Sequence, residues 1–381
     1  MRFPEFHGEW EKCKLGDIAT LTKGSGISKD QRSATGTPCI LYGELYTTYK
    51  SEVINYVVSK TDISDKNLVR SCANDIIIPS SGETAIDIST ARCVLSPDVL
   101  LGGDLNIIRL KDGDGRFFSY QLNGVRKHDI AKIAQGVSVV HLYGESIKGL
   151  TVSFPSNKEQ QKISTLLSLI DERIATQSKL IEDLKKLKSA IIEKLYSEIQ
   201  GKEYSYRQLF EIINERNNRL EFSNVLSASQ ERGMVSREDL NLDIKFERSN
   251  INTYKIVRNG DYVIHLRSFQ GGFAFSDIVG VCSPAYTIMR PKDLLEYGYL
   301  SYYFTSRQFI KSLVIVTYGI RDGRSINVDE WFDMKIVIPT KEQQRHIVRT
   351  IKVFENKIEN EEIYASCLLK QKQHLLRQMF I

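Results

Sequence analysis

Hydrophobic positions recur every seven residues in two stretches of the chain, and the two stretches match. Ile163, Ile170, Gln177, Leu184 and Ile191 stand seven apart, with Leu167, Ile174, Ile181, Lys188 and Leu195 four residues behind each. That is the a/d spacing of a coiled-coil seam. Ile347, Phe354, Glu361, Leu368 and Leu375, trailed by Ile351, Ile358, Ala365, Lys372 and Met379, repeat it. The polar faults coincide as well, Gln177 with Glu361 and Lys188 with Lys372. Each seam also opens alike. Val152-Ser153-Phe154-Pro155-Ser156 returns as Ile336-Val337-Ile338-Pro339-Thr340, so Pro155 to Pro339 is a shift of 184. The Glu-Gln-Gln triplets that follow are displaced by one. The shift of 184 nevertheless makes Ser156 with Glu159, and Thr340 with Gln343, two capping boxes of the form S/T-x-x-E/Q. The pattern predicts strand, proline, N-cap and a helix of about 39 residues, ~58 Å long at ~1.5 Å per residue. Two such helices from a duplication are expected to pack antiparallel.

Fainter echoes precede each helix. Trp10 through Ile18 resembles Tyr204 through Ile212, and Asn74-Asp75-Ile76-Ile77-Ile78 resembles Gly260-Asp261-Tyr262-Val263-Ile264. Leu105 through Arg109 resembles Tyr286 through Arg290, and Phe118-Ser119-Tyr120 resembles Leu300-Ser301-Tyr302. Apolar runs at 75–78, 137–141 and 335–338 read as strands, and 119–125 and 300–309 read as helices. The expected fold is α+β: two mixed α/β domains related by a pseudo-two-fold duplication, separated by two long antiparallel coiled-coil helices. The boundaries are 1–155, 156–200, 201–338 and 339–381. Gly201, in the joint 198–203, is expected to stop the first helix.

Composition narrows the function classes. The net charge is +5, from 52 basic and 47 acidic residues, which permits a nucleic-acid partner without demanding one. No apolar run reaches membrane-span length and the start lacks the plan of a secretory signal, so a cytoplasmic protein without membrane association is expected. The six cysteines form no C-x-x-C pair and read as buried free thiols, and no metal site is expected. Catalytic signatures are missing too. The chain has no Pro-Pro pair, as an amine-methylating N/D-P-P-Y/F turn would need, and no phosphate-cradling G-x-x-x-x-G-K-[ST] loop. Asp183-Leu184-Lys185 has the D-x-K form of a nuclease metal site, but Leu184 lies in the seam and the reading there is a solvated helix face.

Taken together, the layout resembles the specificity subunit of type I restriction-modification systems. The resemblance rests on Phe3-Pro4-Glu5-Phe6-His7-Gly8-Glu9-Trp10, on Lys14-Leu15-Gly16-Asp17-Ile18 and on the two helix starts. In the second half it rests on Leu266-Arg267-Ser268-Phe269-Gln270-Gly271-Gly272, Ser283-Pro284-Ala285-Tyr286 and Gly319-Ile320-Arg321-Asp322-Gly323-Arg324. It implies a subunit without catalysis of its own that reads a split, asymmetric double-stranded DNA target, one half per domain. It implies two methyltransferase subunits that methylate adenine, and two motor-nuclease subunits that can join for cleavage. S-adenosylmethionine, ATP and Mg belong to those partners, with no cofactor in this chain.

Base reading needs donors and acceptors on loops that follow strands. In the first domain the candidates are Lys23, Ser25, Tyr42, Ser80, Ser81, Gly82 and Thr84. In the second they are His265, Arg267, Ser268, Gln270, Gly271, Arg321 and Arg324. Arginine suits guanine edges and phosphates, and glutamine suits adenine. The competing functions are a DNA-binding regulator and a coiled-coil scaffold outside restriction-modification.

Overall fold

The heptad pattern takes physical form as two continuous helices, Asn157–Ser197 and Lys341–Met379, of 41 and 39 residues. The computed structural model describes residues 2–64, 67–229, 232–240, 248–265, 272–318 and 325–380. The chain divides into two compact units, Met1–Lys179 with Glu362–Ile381, and Leu180–Glu361. Each unit therefore takes the start of one long helix and the end of the other. Of the seam residues named above, none is exposed.

In the first unit, Ile163 and Leu167 share a core with Leu375, Leu376, Met379 and Phe380, and Asp171 meets Lys372 at 2.5 Å. Early residues of one helix thus face late residues of the other, so the segments run antiparallel. In the second unit, Ile192 and Leu195 share a core with Ile347 and Val348, and Lys188 meets Glu355 at 3.3 Å. That is again antiparallel.

The globular parts are duplicated. The first unit has a five-stranded sheet in the order Ala19–Lys23, Leu105–Leu110, Asp75–Pro79, Arg92–Val94, Val53–Ile54. The second has four strands in the order Phe210–Ile213, Thr287–Pro291, Tyr262–Ile264, Phe273–Phe275. Each unit also has a strand pair leading to its helix, Glu11–Lys14 with Thr151–Phe154 and Lys202–Ser205 with Lys335–Ile338.

Equivalent strands begin with equivalent chemistry. Asn74 and Gly260 adopt positive φ, 78° and 92°, where asparagine and glycine are the residues tolerated best. The next residue, Asp75 or Asp261, is 1% exposed in both. Asp75 accepts from the Cys72 backbone N–H and from Arg109 at 2.8 and 2.7 Å. Asp261 accepts from the Arg258 N–H and from Arg290 at 2.9 and 3.0 Å. One buried carboxylate therefore ties turn to neighbouring strand in each copy. Gln160 and Gln344 do the same where the helices begin. Each donates to the carbonyl of its own proline, Pro155 or Pro339, and accepts from Asp114 N or Glu296 N.

Several local expectations need correction. The Thr340–Gln343 capping box forms, but Glu159 instead gives both carboxylate oxygens to Arg2. The strand expected over 137–141 shrinks to Val140–His141. Gly136, at φ 123°, and the Gln135–His141 bridge close a loop with Val137 at its tip, 97% exposed. The helix expected over 300–309 breaks in two, Tyr299–Tyr303 and Arg307–Ser312, because Ser306 caps the second. The one over 119–125 spans Gly115–Asn123, starting at the Asp114 cap. Leu15 corresponds to Tyr206 and not to Leu209, since each opens a one-turn helix directly after its strand. The first helix ends at Ser197, before Gly201, whose added Cβ would lie 2.2 Å from the Ile338 carbonyl. Gly201 thus permits strand approach. Of the cysteines, Cys39, Cys93 and Cys282 are buried, Cys13 is half-buried, and Cys72 and Cys367 are exposed.

Candidate nucleic-acid interface

Antiparallel pairing decides which loops meet. Lys23 pairs with Asn106, and Pro79 pairs with Leu105. The loops after Lys23, after Pro79 and before Leu105 therefore emerge at one end of the first sheet. Backbone bonds close them together, Ser80 N to Asp104 O at 2.7 Å and Gly24 N to Leu105 O at 3.0 Å.

The sequence candidates divide by what their side chains do here. Lys23 is exposed, and Ser81 and Tyr42 are half-buried. Ser81 sits in a two-residue strand pair opposite His141. Ser25, Ser80, Gly82 and Thr84 serve the fold. The Ser25 hydroxyl accepts from Val69 N at 2.8 Å, and Ser80 is buried beside Asp104. A Cβ on Gly82 would come 2.5 Å from Ile88 Cγ2, so any larger residue requires Ile88 to shift. Thr84 caps the turn Ala85–Ile88 by accepting from Asp87 N.

Sequence reasoning missed a cleft of about 1050 Å³ beside these loops. Tyr42 lines it together with Lys29, Gln31, Arg32, Glu44 and Asp104. Glu44 is 6% exposed. It accepts from Leu41 N at 2.9 Å and from the Ser59 hydroxyl. Arg32 approaches that fixed carboxylate at 3.6 Å. Its Nε also donates to the Lys29 carbonyl at 3.3 Å, so the guanidinium is held from two sides where it lines the cleft, and arginine suits guanine edges and phosphates. The available signal was Lys29-Asp30-Gln31-Arg32, a charged run directly after a glycine-bearing strand end.

The second unit presents the equivalent end of its sheet. His265 follows Tyr262–Ile264, and Tyr286 precedes Thr287–Pro291. Their rings lie 5.8 Å apart, and Lys255 Nζ donates to the Tyr286 carbonyl at 2.7 Å. His265 is half-buried, and desolvation lowers its pKa, so the imidazole is neutral near pH 7. Exposed Arg216 and Arg219 follow the strand Phe210–Ile213, where Lys29 and Arg32 follow Ala19–Lys23 in the first unit. Arg267, Ser268, Gln270, Gly271, Arg321 and Arg324 lie outside the described residues.

Among the described residues, no group of three or more His, Cys, Asp or Glu could hold a metal ion, and no helix is long and apolar enough to cross a membrane. Asp183 and Lys185 lie on the first long helix, with the half-buried seam residue Leu184 between them.

Known proteins share this plan. Residues 7–186 match the family model described as type I restriction modification DNA specificity domain. A putative type I restriction enzyme specificity subunit of Methanocaldococcus jannaschii, MjaX, is 23% identical over 93% of this chain and 89% of its own length. The MjaVIII specificity subunit of the same organism is 22% identical over 94% and 90%. The crystal structure of a type I S subunit from M. genitalium superposes with a TM-score of 0.58 at 17% identity, covering 100% of this chain and 99% of that one. A chain from a solved structure of type I restriction-modification complex assembly gives 0.62 at 14% identity, covering 98% of each.

Proposed function

We propose, from the premise that the chain belongs to the type I restriction-modification specificity-subunit family, that each of its two units reads one half of a split DNA target. The carrying observation is a scaffold duplicated down to single buried side chains, with different residues at the same end of each sheet. Asp75 and Asp261, or Gln160 and Gln344, keep their bonds in both copies. Tyr42, Lys29 and Arg32 stand at that end in one unit, and His265, Tyr286 and Arg216 at the corresponding end in the other. Like scaffold with unlike reading ends suits two different half-sites on one polypeptide. A symmetric dimer reads a palindrome; this chain has no such constraint.

The chain then acts as an adaptor. Two methyltransferase subunits, carrying S-adenosylmethionine, methylate adenine at the target, and motor-nuclease subunits using ATP and Mg can join them. Leu169 and Val353 support two copies of one partner. They occupy equivalent positions of the two helices and are 58% and 65% exposed. The test is to express the chain with its methyltransferase partner and sequence the methylated bases of host DNA. A two-part, non-palindromic motif with methyladenine in each half is expected. A contiguous or palindromic motif, or no methylation, overturns the reading.

A further inference from the structure

Both seams carry a lysine where a coiled coil favours an apolar residue, and both lysines are spent in the same way. Lys372, 9% exposed, reaches Asp171 at 2.5 Å and also meets Glu52. The Tyr120 hydroxyl donates to the same Asp171 at 2.8 Å. In the second unit Lys188 reaches Glu355 at 3.3 Å, and the Tyr302 hydroxyl donates to Glu355 at 2.7 Å. Asp171 and Glu355 differ by the same 184 residues as Lys188 and Lys372. Each unit thus holds a Tyr–carboxylate–Lys triad, and the helices exchange roles between the two. The first long helix gives the acid in one triad and the lysine in the other. The tyrosine comes from the globular part each time, on Gly115–Asn123 or Tyr299–Tyr303. Burial raises the pKa of both tyrosines, so they remain donors.

Such an arrangement is weak evidence for added stability. A well-packed apolar set often matches or exceeds a buried ion pair, while a polar seam residue fixes register. Each triad clips a globular helix to both long helices at one rotation, since a hydroxyl and an ammonium must converge on one carboxylate. We propose that the triads are positioning residues that hold each DNA-reading part at a fixed angle on its helices, so that the complex accepts a single spacer between half-sites. This rests on the reading that each unit recognises one half-site.

The experiment uses the full chain with its methyltransferase partner, with methylated motifs sequenced and thermal melts recorded. Tyr120→Phe and Tyr302→Phe remove one hydroxyl each. Lys188→Met acts in the more open triad, where folding is safer than for Lys372→Met. Expected are unchanged half-site bases and methylation at spacers one base pair shorter or longer that rises about tenfold, the scale of one hydrogen bond to a charged group. The paired exchange Lys188→Glu with Glu355→Lys keeps the opposite charges but removes the carboxylate that accepts from Tyr302, so it is expected to relax the spacer as Tyr302→Phe does. Folded, active variants that keep the parental spacer overturn the proposal, as do altered half-site bases. A wild-type complex that methylates no split motif overturns the underlying reading instead.

Discussion

At the scale of single residues, His265 offers a sign that can be checked. Its folded-state pKa is lowered by desolvation below the ordinary value of about 6.5. Below that value the unfolded chain binds a proton that the folded chain does not, so stability rises with pH across the window. The contribution is fully present above about 6.5 and is lost as pH falls toward the folded pKa. Denaturation of wild type and His265→Gln, compared from pH 7.5 to 5.5, is expected to show wild type losing stability more steeply. Parallel curves would mean that His265 titrates alike in the folded and the unfolded chain, with no lowering in the fold. Because the ring is neutral, the substitution is also expected to leave the salt dependence of DNA binding unchanged at pH 7.5, no counterion being displaced by an uncharged group. Such residues were only half legible. That His265 follows a strand could be read from the sequence; that its ring packs by Tyr286 could not. Arg32 was missed because its orientation comes from Glu44, whose burial depends on Ser59 and Leu41.

At the scale of elements, the long helices were the most legible part, since a seven-residue seam states its own period. Their starts were legible in position and only partly in chemistry. Thr340 caps as expected, whereas Glu159 is drawn to Arg2, a partner 157 residues away. The displaced Glu-Gln-Gln triplets hid the residues that matter, Gln160 and Gln344, which are 2% and 1% exposed. Gln344 donates to Leu294 O and Pro339 O at 3.0 Å each and accepts from Glu296 N at 2.8 Å. Gln344→Ala would take the side-chain partner from one buried backbone group, the Pro339 carbonyl, and from two part-buried ones at Leu294 and Glu296, and is expected to cost about 2–3 kcal/mol. Thr340→Ala, which loses only an exposed cap, is expected to cost about 1 kcal/mol. Urea denaturation decides between them: equal losses would show that the glutamine bonds are replaced by water. The short strands and split helices of the globular parts were less legible, because caps such as Ser306 and loops such as that at Gly136 override the local apolar pattern.

At the scale of the whole molecule, the chain distributes each long helix over both units, with boundaries at Lys179–Leu180 and Glu361–Glu362. The duplication was readable because the two long helices, and the strand and proline before each, keep the shift of 184, while the cleft at Arg32 was not, because its lining comes from segments far apart in the chain. If the helices measure the target, their length is the testable quantity. Inserting seven residues at each boundary adds one whole heptad, which preserves the seam where four residues would shift it. Each helix then grows by ~10 Å at ~1.5 Å per residue. DNA rises ~3.4 Å per base pair, so the preferred spacer is expected to lengthen by about three pairs. Both half-sites should keep their bases, because neither reading end is touched. Total methylation is expected to fall, since three pairs also turn one half-site by about 100° around the DNA axis and the duplex must twist to compensate. Sequencing the methylated motif of the lengthened chain against the parent measures both effects. A folded, active variant that retains the parental spacer would show that bending of the DNA, and not helix length, sets the distance.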